Sequence, residues 1–485
     1  MSLAVAIFAA DLPSASAQVP PCGPPRPAWA GWTASFTAGC RDSSGRFAGG
    51  SQIIHLVPHK GQLYAAAGYW KDSHNVIYGG RDSRTGWAQI LRLTGPDAPW
   101  TVDLEMGPRH LRPELLSSVT FTRDATGRAL PAPDTLLIAA AWDDGGRGRR
   151  SVQVFVHDDS TNAWTRTDAV PNTADQVGED ISVRAAIVYR DRLTGREYLF
   201  LSVGIVGLFR AEYDPGQPGR LLWSRAPEFV PAGPTRILGL AEANGSLFVS
   251  DGAHIFRRID GPAPRYEKVV DLSGDVDPQT DRKAFSGIGG IRGMTAIAVP
   301  AGHQESLIFM WHPGKTSRGC IIRLDREPDG RYTQHQEECL SRLASKHTGL
   351  PASFILGAYS RFMPFTDPAN GETLHIAGME AWVPARASQS FVAHNQRGPQ
   401  GGPYAGAMYA VRDPRGHWRM GEVNGKFQPG MPELVSTYTY ALSPFGGQDA
   451  GRIYLGGYDC NDHPSTDTAW VYRTDVENLL RRPAR

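Results

Sequence analysis

Three residue sets in this 485-residue chain have the types and spacing to do chemistry. The first is imidazole. His74, His110, His312 and His463 fall where apolar runs end in polar loops, and an imidazole titrates near neutrality, so each could take or give a proton. The second is guanidinium. Arg184 (in Ser-Val-Arg), Arg236 (in Thr-Arg-Ile), Arg292 (in Ile-Arg-Gly) and Arg361 (after Tyr359-Ser360) recur at the entry to apolar runs, and Arg109 and Arg112 flank His110. Converging guanidinium groups bind a carboxylate or sulfate through paired hydrogen bonds. The bland alternative is that they pair with local acids such as Glu179 and Asp180 and staple neighbouring elements. The third set places aromatics beside acids and imidazoles: Trp70, Trp142-Asp143-Asp144, Trp311-His312, Glu380-Ala381-Trp382, and Asp459. Indole rings stack on sugar faces while the polar groups hold hydroxyls. Here the alternative is that the tryptophans cap apolar cores.

The elements that must position these residues are short strands. Helical periodicity is confined to residues 340–346 and 477–482; elsewhere apolar runs are broken by Gly, Asp, Asn and Pro. A unit of four strands recurs. Its first copy covers residues 53–57, 63–68, 88–93 and 100–104, and later copies begin near residues 119, 183, 237, 293, 355 and 438; the second strand of the second copy reads as 136–141, the first strand of the sixth as 355–363, and His55 and His375, inside strands, read as core residues. The last copy lacks a fourth strand, which residues 31–38 can supply, closing a ring and removing exposed sheet edges. The expectation is an all-β chain, a single β-propeller of about seven four-stranded blades with the N-terminal strand completing the last. Its parts are a signal peptide (1–17), a closing segment (18–48) and the propeller (49–485). In that architecture the first strand of each blade lines the channel. The connections between blades, and those between second and third strands, then open on one face.

Composition narrows the partners. The formal net charge is +1, with 50 Lys+Arg against 49 Asp+Glu, so there is no field for nucleic acid. The apolar run at residues 3–10, followed by Ala15-Ser16-Ala17, reads as a secretory signal, which predicts a secreted or periplasmic protein. No later run reaches the roughly 20 apolar residues of a membrane span, and a monomer is expected. Export permits disulfides. Cys320 and Cys339 lie symmetrically about the turn Glu327-Pro328-Asp329-Gly330, where a hairpin would bring them face to face. Cys22 is expected to pair with Cys40, leaving Cys460 over; pairing of Cys460 with Cys22 or Cys40 is the alternative, because the two ends of a propeller chain meet.

These features resemble, in architecture and residue type, the propeller polysaccharide lyases of acidic polymers. The resemblance implies a His or Tyr base and an arginine that neutralises the uronate carboxylate, with an acidic oligo- or polysaccharide as substrate. On that reading His110 or His74 is the base and Arg184 or Arg292 the neutraliser. Hydrolysis by paired carboxylates, such as Asp143 with Glu380, is the enzymatic variant. A non-catalytic propeller binding a glycan or protein is a second reading. A third is a hydrolase or oxygenase with a divalent metal ion held in the channel by histidines from several blades. The channel-side entries carry arginine instead of four histidines, so similarity to carotenoid-cleaving oxygenases stops at the shape.

Overall fold

The computed structural model describes residues 19–28, 31–69, 87–143, 151–173, 181–276, 289–298, 304–314, 318–384, 401–424, 434–458 and 467–481. An N-terminal segment carries β1 (Arg26–Pro27), β2 (Thr33–Thr37), β3 (Cys40–Arg41) and β4 (Phe47–Ala48). Antiparallel meanders follow. The first is β5 (Gln52–His59), β6 (Gln62–Gly68), β7 (Gln89–Leu93) and β8 (Thr101–Glu105). Next come β9 (Leu115–Arg123), β10 (Ala129–Asp143), β11 (Ser151–Asp158) and β12 (Ala163–Arg166). Then β13 (Ala186–Arg190), β14 (Glu197–Val203), β15 (Gly207–Tyr213) and β16 (Leu221–Trp223) precede β17 (Leu240–Ala243), β18 (Ser246–Asp251), β19 (His254–Ile259) and β20 (Arg265–Asp271). β21 (Gly290–Ala298), β22 (Glu305–His312), β23 (Cys320–Arg326) and β24 (Tyr332–Cys339) lead into helix α1 (Leu340–Thr348). The next sheet has β25 (Phe354–Gly357), β26 (Met363–Thr366), β27 (Thr373–Val383), β28 (Gly402–Pro403), β29 (Met408–Arg412) and β30 (Trp418–Glu422). β31 (Ser436–Leu442), β32 (Ile453–Tyr458), β33 (Trp470–Thr474) and helix α2 (Val476–Leu480) end the described chain. The outer partner of β33 is β2, antiparallel, with Thr33 opposite Arg473.

Each second strand is buried on both faces, which explains its near-continuous apolar sequence. In β6, Leu63, Ala65 and Ala67 enter one cluster with Trp100 and Tyr454, while Tyr64 and Ala66 enter another with Leu137 and Ala139. In β10, Leu136, Ile138, Ala140 and Trp142 turn instead toward Leu199 and Leu201 of β14. The alternation continues along the chain, so each cluster is shared by two successive sheets. The cluster with Tyr454 and Val471 joins the last sheet to the first. Sheets packed face to face in a closed cycle are a β-propeller.

Two local features bear on function. The β23–β24 hairpin turns at Gly330, whose φ of 86° favours glycine, and it sets Cys320 opposite Cys339. These two form one disulfide, and Cys22 and Cys40 form the other. The second feature lies in the sheet of β27. Gly357 pairs with Met379 and Met363 with Ile376, so the five residues 358–362 stand opposite only two, 377 and 378. The excess has no place in the ladder and bulges out of the sheet. Residues 355–363 read from sequence as one unbroken strand; this bulge interrupts it.

Candidate functional site

The inner strands enclose a cavity of about 500 Å³. Its walls come from every sheet of the ring: His55–Val57, Leu115–Ser117, Arg184–Ala186, Leu238–Leu240, Met294–Ala296, Tyr359–Pro364 and Thr439–Tyr440. The volume falls in the range of small-molecule sites, roughly 300–1,000 Å³. Among the described residues lining it there is no Asp or Glu; the ionisable side chains are His55, Arg184, Arg361, Tyr359 and Tyr440.

The bulge supplies the centre of the site. Tyr359 projects from it into a gathering of arginines. The guanidinium carbons of Arg184 and Arg292 lie 4.4 and 4.2 Å from the centre of its ring. Arg236 donates from Nη2 to its hydroxyl at 3.4 Å, and from Nη1 to Ser182 Oγ at 3.2 Å. Arg292 donates to the Gly357 carbonyl at 3.0 Å. Burial is the first cause that lowers the Arg292 pKa, and Arg236 and Arg184 lower it further. Glu114 is fully buried and anchors the other side: it accepts from Arg112 Nε and, at 2.8 Å, pairs with Arg184 Nη1. Its backbone carbonyl faces His55 Nε2 at 3.1 Å. A carbonyl only accepts, so Nε2 carries the hydrogen and Nδ1 is the basic nitrogen. Burial lowers the His55 pKa to about 4, the Glu114 carbonyl opposing the shift and Arg184 adding to it, so the ring is neutral at pH 7.

Arg361 crosses the ring. It springs from the bulge beside β26, yet its Nη2 donates to the Ala186 carbonyl of β13 at 3.2 Å. Its own carbonyl accepts from the Tyr440 hydroxyl at 2.7 Å, and Phe362 N–H donates to Thr295 Oγ1 at 2.9 Å. No carboxylate among the described residues pairs with Arg361. Water reaches its side chain, while the inner strands surround it and hold its pKa below the arginine range by desolvation.

The expected arginines Arg184, Arg236, Arg292 and Arg361 therefore come together, with Arg184 and Arg361 facing the cavity. The expected histidines do not join them. His74 and His463, with Trp70 and Asp459, lie outside the described residues. His110 is buried, with Nδ1 on the Met106 carbonyl at 2.7 Å and its ring edge-on to Phe155. Apolar packing there seals it from the rim, so it is no surface base. His312 has no exposed surface; its Nε2 accepts from Gly357 N–H at 3.2 Å, and burial followed by Arg292 holds its pKa well below 6.5. It is a core group that backs the bulge, not a rim acid. Trp142 and Trp311 are also buried, in the clusters with Val154 and Phe309 respectively, so they cap cores and offer no sugar platform. Glu380 is buried and accepts from Trp382 Nε1, whereas Asp143 pairs with Arg109 at 2.8 Å. His55, read from sequence as a core residue, instead lines the cavity. Sequence reasoning also passed over Glu114, Tyr359 and Tyr440. The one signal for Tyr359 was the length of residues 355–363, nine against five to seven in most of the other first strands.

No protein-family model matches the chain, and no curated protein matches it. Among solved structures, an α-L-arabinofuranosidase from Clostridium thermocellum is similar over 58% of this chain and 92% of that one, at 13% identity and a TM-score of 0.28. An α-L-arabinanase from Penicillium chrysogenum, complexed with arabinobiose, is similar over 88% and 94%, at 9% identity and a TM-score of 0.35. A protein of unknown function from Bacteroides thetaiotaomicron is similar over 90% and 73%, at 10% identity and a TM-score of 0.36. Likeness at these scores carries no functional argument, and the functional reading rests on the cavity. Among the described residues no cluster of His, Cys, Asp or Glu suits a metal ion, and no helix is long and apolar enough to cross a membrane.

Proposed function

We propose that the protein is an exported enzyme that acts on an acidic carbohydrate in the central cavity, by β-elimination. The observation that carries this reading is the cavity lining: two guanidinium groups, a neutral imidazole and two phenols, with no carboxylate among the described residues. Glycoside hydrolysis commonly needs two carboxylates across the bond, and this lining lacks them. It suits a uronate instead. Arg184 and Arg361 take the carboxylate, drawing charge from the ring and acidifying the hydrogen at C5. His55 Nδ1 removes that proton, and the C5–H electron pair becomes the C4–C5 double bond. The C4–O4 bond breaks with its electrons on O4, and the Tyr359 hydroxyl protonates the leaving oxygen. The phenolate left behind faces Arg184, Arg236 and Arg292, which stabilise it.

The same reading covers the frame. The pairings support seven blades, with β2 as the outer strand of the seventh and residues 18–48 as the closing segment. Two disulfides support an oxidising destination. The test is an activity screen against polygalacturonate, alginate and glucuronan, read at the absorbance of the unsaturated product. We expect cleavage of one of them, reduced about 10²-fold or more in His55→Gln. Wild-type protein that cleaves none of them, or full activity in His55→Gln, refutes the mechanism.

A further inference from the structure

We infer that the bulge at residues 358–362 bars the channel, so that the ligand enters as a chain end whose terminal carboxylate is received by Arg361. This rests on the acidic-carbohydrate reading above and adds to it which part of the polymer is used.

The geometry is that of a bolt. In a ring, the inner strand of each sheet touches only its two neighbours. The bulge belongs to the sheet of β27, yet it reaches Arg292 and Thr295 in the sheet before, Arg236 before that, and Arg184 and Ala186 one sheet further still. On its other side Ser360 Oγ donates to the Tyr438 carbonyl at 2.9 Å and the Tyr440 hydroxyl donates to the Arg361 carbonyl. The segment is thus tied to four other sheets, and the Arg361 side chain spans the remaining opening. A polysaccharide could thread the ring only by displacing these contacts together. A chain end needs no such displacement.

Arg361 is also the group placed to receive charge. The one protein partner of its guanidinium among the described residues is the neutral Ala186 carbonyl, so the remaining guanidinium N–H donors face a ligand. Arg184, which flanks the same carboxylate, already shares Glu114 with Arg112, so Arg361 is the principal receiver. Two parallel N–H···O bonds from the guanidinium to a carboxylate would fix the orientation of the terminal sugar.

The experiment has a binding arm and a product arm. Calorimetric titration compares free D-galacturonate and D-glucuronate with neutral D-galactose, for wild type and Arg361→Gln. We expect wild type to bind a uronate and not galactose, and Arg361→Gln to weaken uronate binding about 10- to 100-fold, the worth of one charged hydrogen-bonded pair. An unchanged urea midpoint in the variant shows that it is folded. In the product arm, the uronate polymer that wild type cleaves is followed by viscosity and by chromatography of products. An end-acting protein releases mono- or disaccharide from the first minutes, while viscosity falls in step with bonds cut. Early collapse of viscosity with long products overturns the barred channel while leaving the acidic-carbohydrate reading intact. Uronate binding that Arg361→Gln leaves unchanged overturns the assignment of Arg361. No uronate binding or cleavage by wild type overturns both the reading and the inference built on it.

Discussion

The protonation of His55 is the most direct probe of the cavity, because it needs no substrate. Its folded pKa of about 4 lies below the ordinary 6.5. The unfolded chain therefore binds more protons at this position between those two pH values. The stability it contributes is complete above about pH 6.5 and is lost as pH falls through about 4. The gap from 6.5 to about 4, at about 1.4 kcal/mol per pH unit, amounts to about 3 kcal/mol. His375, lowered to about 4 by burial, and His312, held well below 6.5 by burial, add slopes of the same sign. The wild-type curve alone therefore cannot isolate His55, but its difference from His55→Gln can. Glutamine keeps an N–H donor for the Glu114 carbonyl and removes the titration. Urea unfolding at half-unit steps from pH 4 to 7 should show a difference curve that changes by about 1.4 kcal/mol per pH unit at its steepest and levels off above pH 6.5. A flat difference curve would mean that His55 titrates alike in folded and unfolded chains, and the neutral, half-buried base of the cavity would be lost.

Other outcomes follow from single contacts. A methyl group at Gly378 would meet the Thr437 carbonyl at 2.1 Å, directly opposite the bulge, so Gly378→Ala should lower the thermal midpoint and shift the fluorescence of the buried core. Glu114→Gln leaves Arg112 and Arg184 buried without their shared carboxylate and should cost about 3–5 kcal/mol in urea unfolding; the double change with Arg184→Met should recover part of that. Arg258 is buried against Asp191, Glu228 and Asp260, so Arg258→Met should cost a similar amount by the same assay. Replacing Cys320 and Cys339 by serine opens a loop of sequence separation 19 and should cost about 3 kcal/mol, read as a loss of urea midpoint that reducing agent does not deepen for this bridge.

What could be read before folding was whatever depends on neighbours in sequence. Strands 63–68 and 136–141 announce themselves because a strand covered on both faces must be apolar at every position. The Cys320–Cys339 bridge was legible because a hairpin turn at Gly330 sets the register that joins them. The arginines at the channel entries were legible as a recurring set, since the repeat places equivalent positions at equivalent depths. Burial was not legible: Trp142, Trp311, His110 and His312 stand where apolar runs give way to polar residues, yet all four are buried in the folded chain. Nor could local pattern show that His55 faces the cavity, because which side of a strand meets water depends on the curvature of the whole ring. The bulge shows the limit most clearly. Residues 355–363 look like one continuous strand, and only the ladder to β27 shows that five residues have room for two. Tertiary pairing thus decided where Tyr359 and Arg361 stand. Hydrogen-bond register is a relation between two distant segments, and neither segment encodes it alone.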